Sequence, residues 1–187
     1  LQSADTLPLR LLSGGVADNA SEVLVAIRRA LPPGEHPLAA GIDAPLFWAT
    51  TGDRRVDYVL RAALRRLGAR SPGGTVQAVN SLRGACLVQG VLIATLLRSN
   101  WPAIQISESH PKVHLWLSGH ARRGTHHNSV RTTSLPEFAA STSLGATDHE
   151  RDAALAGLSA WAMIHRPEGW IDLRLQAGIG HAYLLQE

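Results

Sequence analysis

The chain has 187 residues, 45% of them hydrophobic and 18% charged. That is a globular composition, long enough to bury a sizeable core in one domain spanning residues 1–187, and it excludes a disordered tail or a collagen-like fibre. Eighteen basic residues against 15 acidic ones give a formal charge of +3, which permits nucleic acid as a partner without requiring it.

Leu7, Leu9, Leu11 and Leu12 alternate roughly and end at Gly14-Gly15, so a strand and turn are expected there. Asn19 and Glu22 have capping-box spacing, and Val23, Leu24, Ile27 and Leu31 follow at helical period until Pro32-Pro33 stop the helix. Leu38 to Ile42 reads as a buried strand that delivers Asp43 at its carboxyl end, before Ala44-Pro45. Arg54 to Leu67 reads as a second helix with Val56, Val59, Leu60, Ala63, Leu64 and Leu67 on its apolar stripe and Gly68 as its C-cap. A Ser71-Pro72-Gly73-Gly74 loop follows, then a strongly apolar helix from Leu82 to Leu97.

Ala103 to Ile106 reads as a strand ending at Ser107-Glu108. Val113 to Leu117 fits either a strand or a helix start, residues 118–134 read as a polar loop, and Pro136 to Ala140 as a short helix. Thr147 to Met163 reads as a long helix with Thr147 at its N-cap and Glu150 at N3. Pro167-Glu168-Gly169 turns the chain into a last short strand at Trp170 to Leu173. Strands alternating with helices indicate an α/β layered fold.

Cys86 is the only cysteine, so the chain cannot form an internal disulfide or a thiolate zinc site. Within the apolar run Ala85 to Leu97 it reads as a small core residue. That run is too short for a bilayer and contains Gln89. No basic-then-apolar leader is visible. The expected setting is the cytoplasm, with no membrane partner. Oligomeric state is left open.

Acids at element ends carry the chemical interest. Asp43 and Glu108 each end a strand, where open α/β sheets bind ligands. Asp152 lies on the last helix, with Asp148 one turn earlier. Converging carboxylates call for a divalent cation, and Mg²⁺ or Mn²⁺ suits such oxygen ligands and activates water against phosphodiesters. By spacing alone the signal is weak, since Asp before Pro is common turn chemistry, Asp152 near a helix start complements the dipole, and isolated acids at element ends are usually structural.

Seventeen of the 18 basic residues are Arg, and Lys112 is the one Lys. Arg54, Arg55, Arg61, Arg65, Arg66 and Arg70 give the second helix a basic outer face. Such a face either meets phosphates or is simply solvated. His110 and His114 would share a metal only on a helix, and Pro111 favours a solvated loop there, near His120, His126 and His127. The five Trp at 48, 101, 116, 161 and 170 read mainly as buried anchors rather than base-stacking platforms. No phosphate-cradling Gly loop and no Gly-x-Ser-x-Gly elbow occurs, so nucleotide kinase and serine hydrolase readings fall away.

Three strings, Gly41-Ile42-Asp43-Ala44-Pro45-Leu46, Glu108-Ser109-His110-Pro111-Lys112 and Asp148-His149-Glu150-Arg151-Asp152-Ala153, resemble in order and spacing an uncharacterised family of predicted nucleases with an RNase H-like fold. Its pattern is an "IDaPL" strand end, an Arg/Asp helix matched by Arg54-Arg55-Val56-Asp57, an "E-x-hP" strand end and a final helix opening with a "DA" pair. The match covers roughly residues 38–163.

The resemblance implies a mixed sheet flanked by helices and a metal-dependent nuclease. Mg or Mn would sit on Asp43, Glu108 and Asp152, with Asp148 and His149 as second choices beside Asp152. His110 would act beside Glu108, and Arg54, Arg55 or Lys112 would hold phosphate. The family's first strand, with its "G-x-D" acid, has no counterpart here, since Leu1 to Asp5 reads as the end of a second strand. That departure supports an alternative, a non-catalytic RNase H-like module that binds nucleic acid or a protein. Hydrolysis of a small phosphorylated substrate is a third reading.

Overall fold

The computed structural model describes residues 6–50, 52–78, 84–121, 135–139, 147–173 and 182–186. Helix α1 (Ala20–Ala30) starts as its sequence indicates: Asn19 Oδ1 accepts from Glu22 N at 3.1 Å, and Glu22 accepts in return from Asp18 N at 3.0 Å. Strand β1 (Ala39–Ile42) follows. Helix α2 (Arg55–Arg66) buries Val56, Leu60 and Leu64. Arg54 at its N-cap offers no side-chain acceptor, so only the return half of a capping box forms, with Asp57 Oδ2 accepting from Arg54 N at 3.3 Å.

Pro72–Thr75 forms a helical turn, α3, where the Gly-rich stretch suggests an open loop; Pro at its first position is pre-set for it. Helix α4 (Gly84–Asn100) leads to strand β2 (Gln105–Glu108). Residues 111–117 form a helix, α5 (Pro111–Leu117), which settles the ambiguous Val113 to Leu117 run. Pro111 is again at the first position, where its missing N–H costs nothing. The long helix α6 (Asp148–His165) carries the expected box, Thr147 Oγ1 accepting from Glu150 N and Glu150 Oε2 from Thr147 N, each at 3.2 Å. It ends at Arg166 in a left-handed conformation. Strands β3 (Trp170–Asp172) and β4 (Ala182–Gln186) complete the described elements, and β4 is an element the sequence reading does not foresee.

The four strands lie in the order β1-β2-β4-β3, with β1, β2 and β4 parallel and β3 antiparallel to β4. This is a mixed α/β fold with a small, mostly parallel sheet. In the β1–β2 register Ala39 faces Gln105 and Ile42 faces Glu108, so both strands end at the same side of the sheet.

Helix α6 packs across β1 at very short range. A Cβ on Gly41 would stand 1.6 Å from the Ala156 carbonyl oxygen, so only glycine allows this approach. Three clusters fill the interior. One joins α6 to Leu115, Leu135, Phe138 and Leu9; a second joins α2 to Val113 and Leu173; the third joins β1 and β2 to α4.

Two further expected elements are corrected. Leu7 to Leu12 is not a continuous strand: bridging is confined to Leu9 and Arg10, with Leu9 paired to Phe138, and Leu9 is buried while Leu12 is exposed. The Pro136 to Ala140 segment, described to residue 139, turns and bridges rather than forming a helix. Cys86 is exposed on α4 rather than in the core. Asp5, His126 and His127 lie outside the described residues. Among the described residues, no helix is long and apolar enough to cross a membrane.

Candidate carboxylate site

Parallel pairing of β1 and β2 brings their carboxyl ends together. Ser109 N donates to Ile42 O at 2.9 Å, which closes the ladder one residue before Asp43. Asp43 keeps contact with solvent while protein atoms crowd it from many directions. That crowding, then the charge of Asp152, pushes its carboxyl up to about 7; Lys112 pulls it down and Glu108 adds to the rise. Asp43, Asp152, Lys112 and Glu108 therefore share one electrostatic neighbourhood.

Glu108 is 1% exposed. Its Oε1 accepts from Arg54 Nη2 at 2.7 Å, and its Oε2 from Arg54 Nη1 and from Leu46 N, each at 2.9 Å. The same guanidinium donates to Asp57 through Nε at 2.9 Å and Nη2 at 2.8 Å, and lies 4.4 Å over the Phe47 ring. Burial pushes the Glu108 carboxyl up while Arg54 pulls it back. Burial also disfavours the Arg54 charge, but Asp57 and Glu108 outweigh that and raise its pKa. One buried cation thus carries two buried carboxylates.

On α6, Asp152 and Asp148 are both held by the buried Arg151. Arg151 donates to Asp152 Oδ1 from Nη2 at 2.7 Å and from Nε at 3.0 Å, and to Asp148 Oδ1 from Nη1 at 3.0 Å. Among the described residues, Asp152 Oδ2 accepts no bond. Ser109 and Ser159, 3.0 Å apart, tie the end of β2 to α6.

The two α5 histidines are packed rather than solvated. His110, at the N-cap, is pushed down to about 4 by burial and then by the Arg54 charge, with Asp57 opposing. His114 is buried, stacks on Trp170 at 5.4 Å, and is pushed down to about 4 by burial and then by His120. Neither ring nitrogen of His114 has a hydrogen-bond partner among the described residues. Cys86 is close enough for the Asp43 charge to reach it: crowding, then that charge, pushes its thiol up.

The expected residues therefore divide. Asp152 and Lys112 lie within electrostatic reach of Asp43. Glu108 is beside them, but its oxygens are taken by Arg54 and Leu46 N. Arg54, 2% exposed and fully engaged, is not placed to meet a phosphate. Asp148 is turned to Arg151. Arg55 and His149 stand exposed, on α2 and α6.

Among the described residues, no three His, Cys, Asp or Glu side chains group to hold a metal ion. A hydrated divalent ion needs only one or two protein carboxylates, so Asp43 and Asp152 are the candidates to hold one. Glu108 does not suit that role. Arg151 and the buried Arg54–Asp57–Glu108 group were not foreseen as such; Arg-Asp adjacency at 151–152 and the three-residue spacing of Arg54 and Asp57 were their only local signals. No family model, curated protein or solved structure matches the chain.

Proposed function

We propose that the chain is a metal-dependent nuclease with an RNase H-like arrangement, in which Asp43 and Asp152 hold Mg²⁺ or Mn²⁺. One observation carries this reading. A solvent-reached carboxylate stands at the carboxyl end of two parallel strands, close enough to Asp152 for the two charges to repel. An ion bound there would supply an activated water and neutralise phosphate charge. Lys112, already within electrostatic reach of Asp43, would draw in a phosphate oxygen. His110, neutral at pH 7, keeps a nitrogen able to accept a proton. Glu108 works at one remove: by accepting from Leu46 N it fixes the turn that carries Asp43.

The test is cleavage of labelled RNA, DNA and hybrid strands with Mn²⁺, comparing the native chain with Asp43→Asn and Asp152→Asn. Both variants are expected to lose at least ~100-fold in rate, as loss of a metal-holding or charge-stabilising group does. Traces that coincide with the native chain would overturn the role of Asp43.

The capture of Glu108 by Arg54 favours a second reading, a non-catalytic module of the same architecture that binds nucleic acid or a protein. It expects no Mg²⁺ or Mn²⁺ heat in calorimetric titration. A metal-binding isotherm that Asp43→Asn abolishes would count against it.

A further inference from the structure

Helix α2 is tied at its N-cap to the carboxylate site, through the Arg54–Glu108 pair. Two of its arginines are consumed internally: Arg54 in that pair, and Arg61, which is buried and bound to Asp53 Oδ1 at 2.6 Å and the Val76 carbonyl at 3.3 Å. The outward face is different. Arg55, Tyr58, Ala62, Arg65 and Arg66 are all exposed. At about 100° per residue they fall on one stripe. None of Arg55, Arg65 and Arg66 forms an ion pair among the described residues. The one acid of α2, Asp57, is buried on the other side.

Tyr58, in this stripe, is 59% exposed yet anchored. The Arg61 guanidinium lies 4.9 Å from its ring centroid, and Arg61 is itself fixed by Asp53 and Val76. A cation on one face of the ring holds it in place and leaves the rest of an amphipathic surface open. A rigid aromatic among unpaired guanidinium groups is the arrangement that binds unpaired bases by stacking and their phosphates by charge. A merely solvated face has no reason to fix a large ring among its arginines.

We propose that the outer face of α2 is a docking track for single-stranded nucleic acid, with Arg55, Arg65 and Arg66 on phosphates and Tyr58 stacked on a base. From Arg55 to Arg66 the track is ~16 Å long at 1.5 Å per residue. It starts beside the carboxylate site, so a strand lying along it is fed toward Asp43. This deepens the nuclease reading and rests on it for what then happens to the strand, but binding is measured separately from cleavage.

The experiment is fluorescence anisotropy of the full chain with labelled oligothymidylate, oligouridylate and a hairpin duplex, in EDTA across a salt series. The native chain is expected to prefer the single strands and to weaken with salt. Combined Arg55→Ala, Arg65→Ala and Arg66→Ala should weaken binding at least ~tenfold and flatten the log–log salt slope by about two. Tyr58→Ala should weaken single-strand binding about fivefold at unchanged slope, and Tyr58→Phe should restore it. Circular dichroism checks that these surface variants stay folded.

Native-like binding by the triple variant overturns the proposal, even if the chain cleaves with Mn²⁺. So does preference for the duplex with Tyr58→Ala silent. Equal displacement of the strand by polyglutamate also overturns it, because the partner is then an acidic protein. Weakened binding in these variants, with no Mn²⁺ cleavage by any form, upholds the track and removes the nuclease reading alone.

Discussion

At Arg54 a single guanidinium holds two carboxylates away from water. Attraction inside a protein is strong, but so is the cost of stripping water from each charge, and the balance depends on every partner being present. Arg54→Ala leaves Glu108 and Asp57 buried beside each other, so it is expected to lower unfolding free energy in urea by about 3–5 kcal/mol. Asp43 behaves differently because solvent reaches it. Its carboxyl, raised to about 7, binds a proton in the fold that the unfolded chain releases near 4. The fold is therefore penalised as pH climbs from about 4 to 7, and a bound cation relieves that penalty. Mg²⁺ is expected to raise the melting temperature at pH 8 and to do little at pH 5, where Asp43 is protonated. Asp43 was legible as a strand-end acid before Pro45. The partner of Glu108 was not, because Arg54 is 54 residues away and no local pattern encodes a contact over that distance.

Among the elements, those that formed as expected have redundant local signals. Helix α6 has a capping box at Thr147 and Glu150 and a long, largely apolar run buried nearly all round from Ala154 to Met163. Helix α2 has its stripe and a glycine just beyond it, Gly68, at positive φ. The elements that differed lack such agreement. Residues 113–117 combine Val and aromatic character with helical spacing, and Pro111 serves as a helix start as readily as a breaker. Strand β4 is short, and its parallel partner β2 is remote in sequence, although β3 lies just before it. The β1–α6 contact makes a sharp prediction. Gly41→Ala puts a methyl group into the Ala156 carbonyl, so strand and helix must separate. The expected loss is at the upper end of overpacking costs, about 3 kcal/mol, read by thermal melting. Thr147→Ala, which removes only a cap, should cost about 1 kcal/mol.

For the molecule as a whole, acid sensitivity follows from α5. His110 and His114 are held neutral, with pKa values near 4 against an ordinary 6.5. Below pH 6.5 the unfolded chain binds protons that the fold refuses, so this stability is complete above 6.5 and is lost as pH falls toward 4. The slope from each imidazole approaches about 1.4 kcal/mol per pH unit. His114→Phe, which keeps a ring against Trp170, should flatten the melting temperature between pH 6.5 and 4. Alternation of strands and helices was enough to read an α/β chain. The strand order β1-β2-β4-β3 was not readable, because it is decided by which edges meet in space.

Cys86, exposed and within reach of the Asp43 charge, gives the carboxylate site a built-in chemical reporter. Only the thiolate reacts with an alkylating dye. With Asp43 ionised the thiol holds its proton more tightly, so labelling is slow. Neutralising Asp43, by Asp43→Asn or by an ion seated on it, should speed labelling at fixed pH, so the one native thiol allows occupancy of the site to be timed without any substrate.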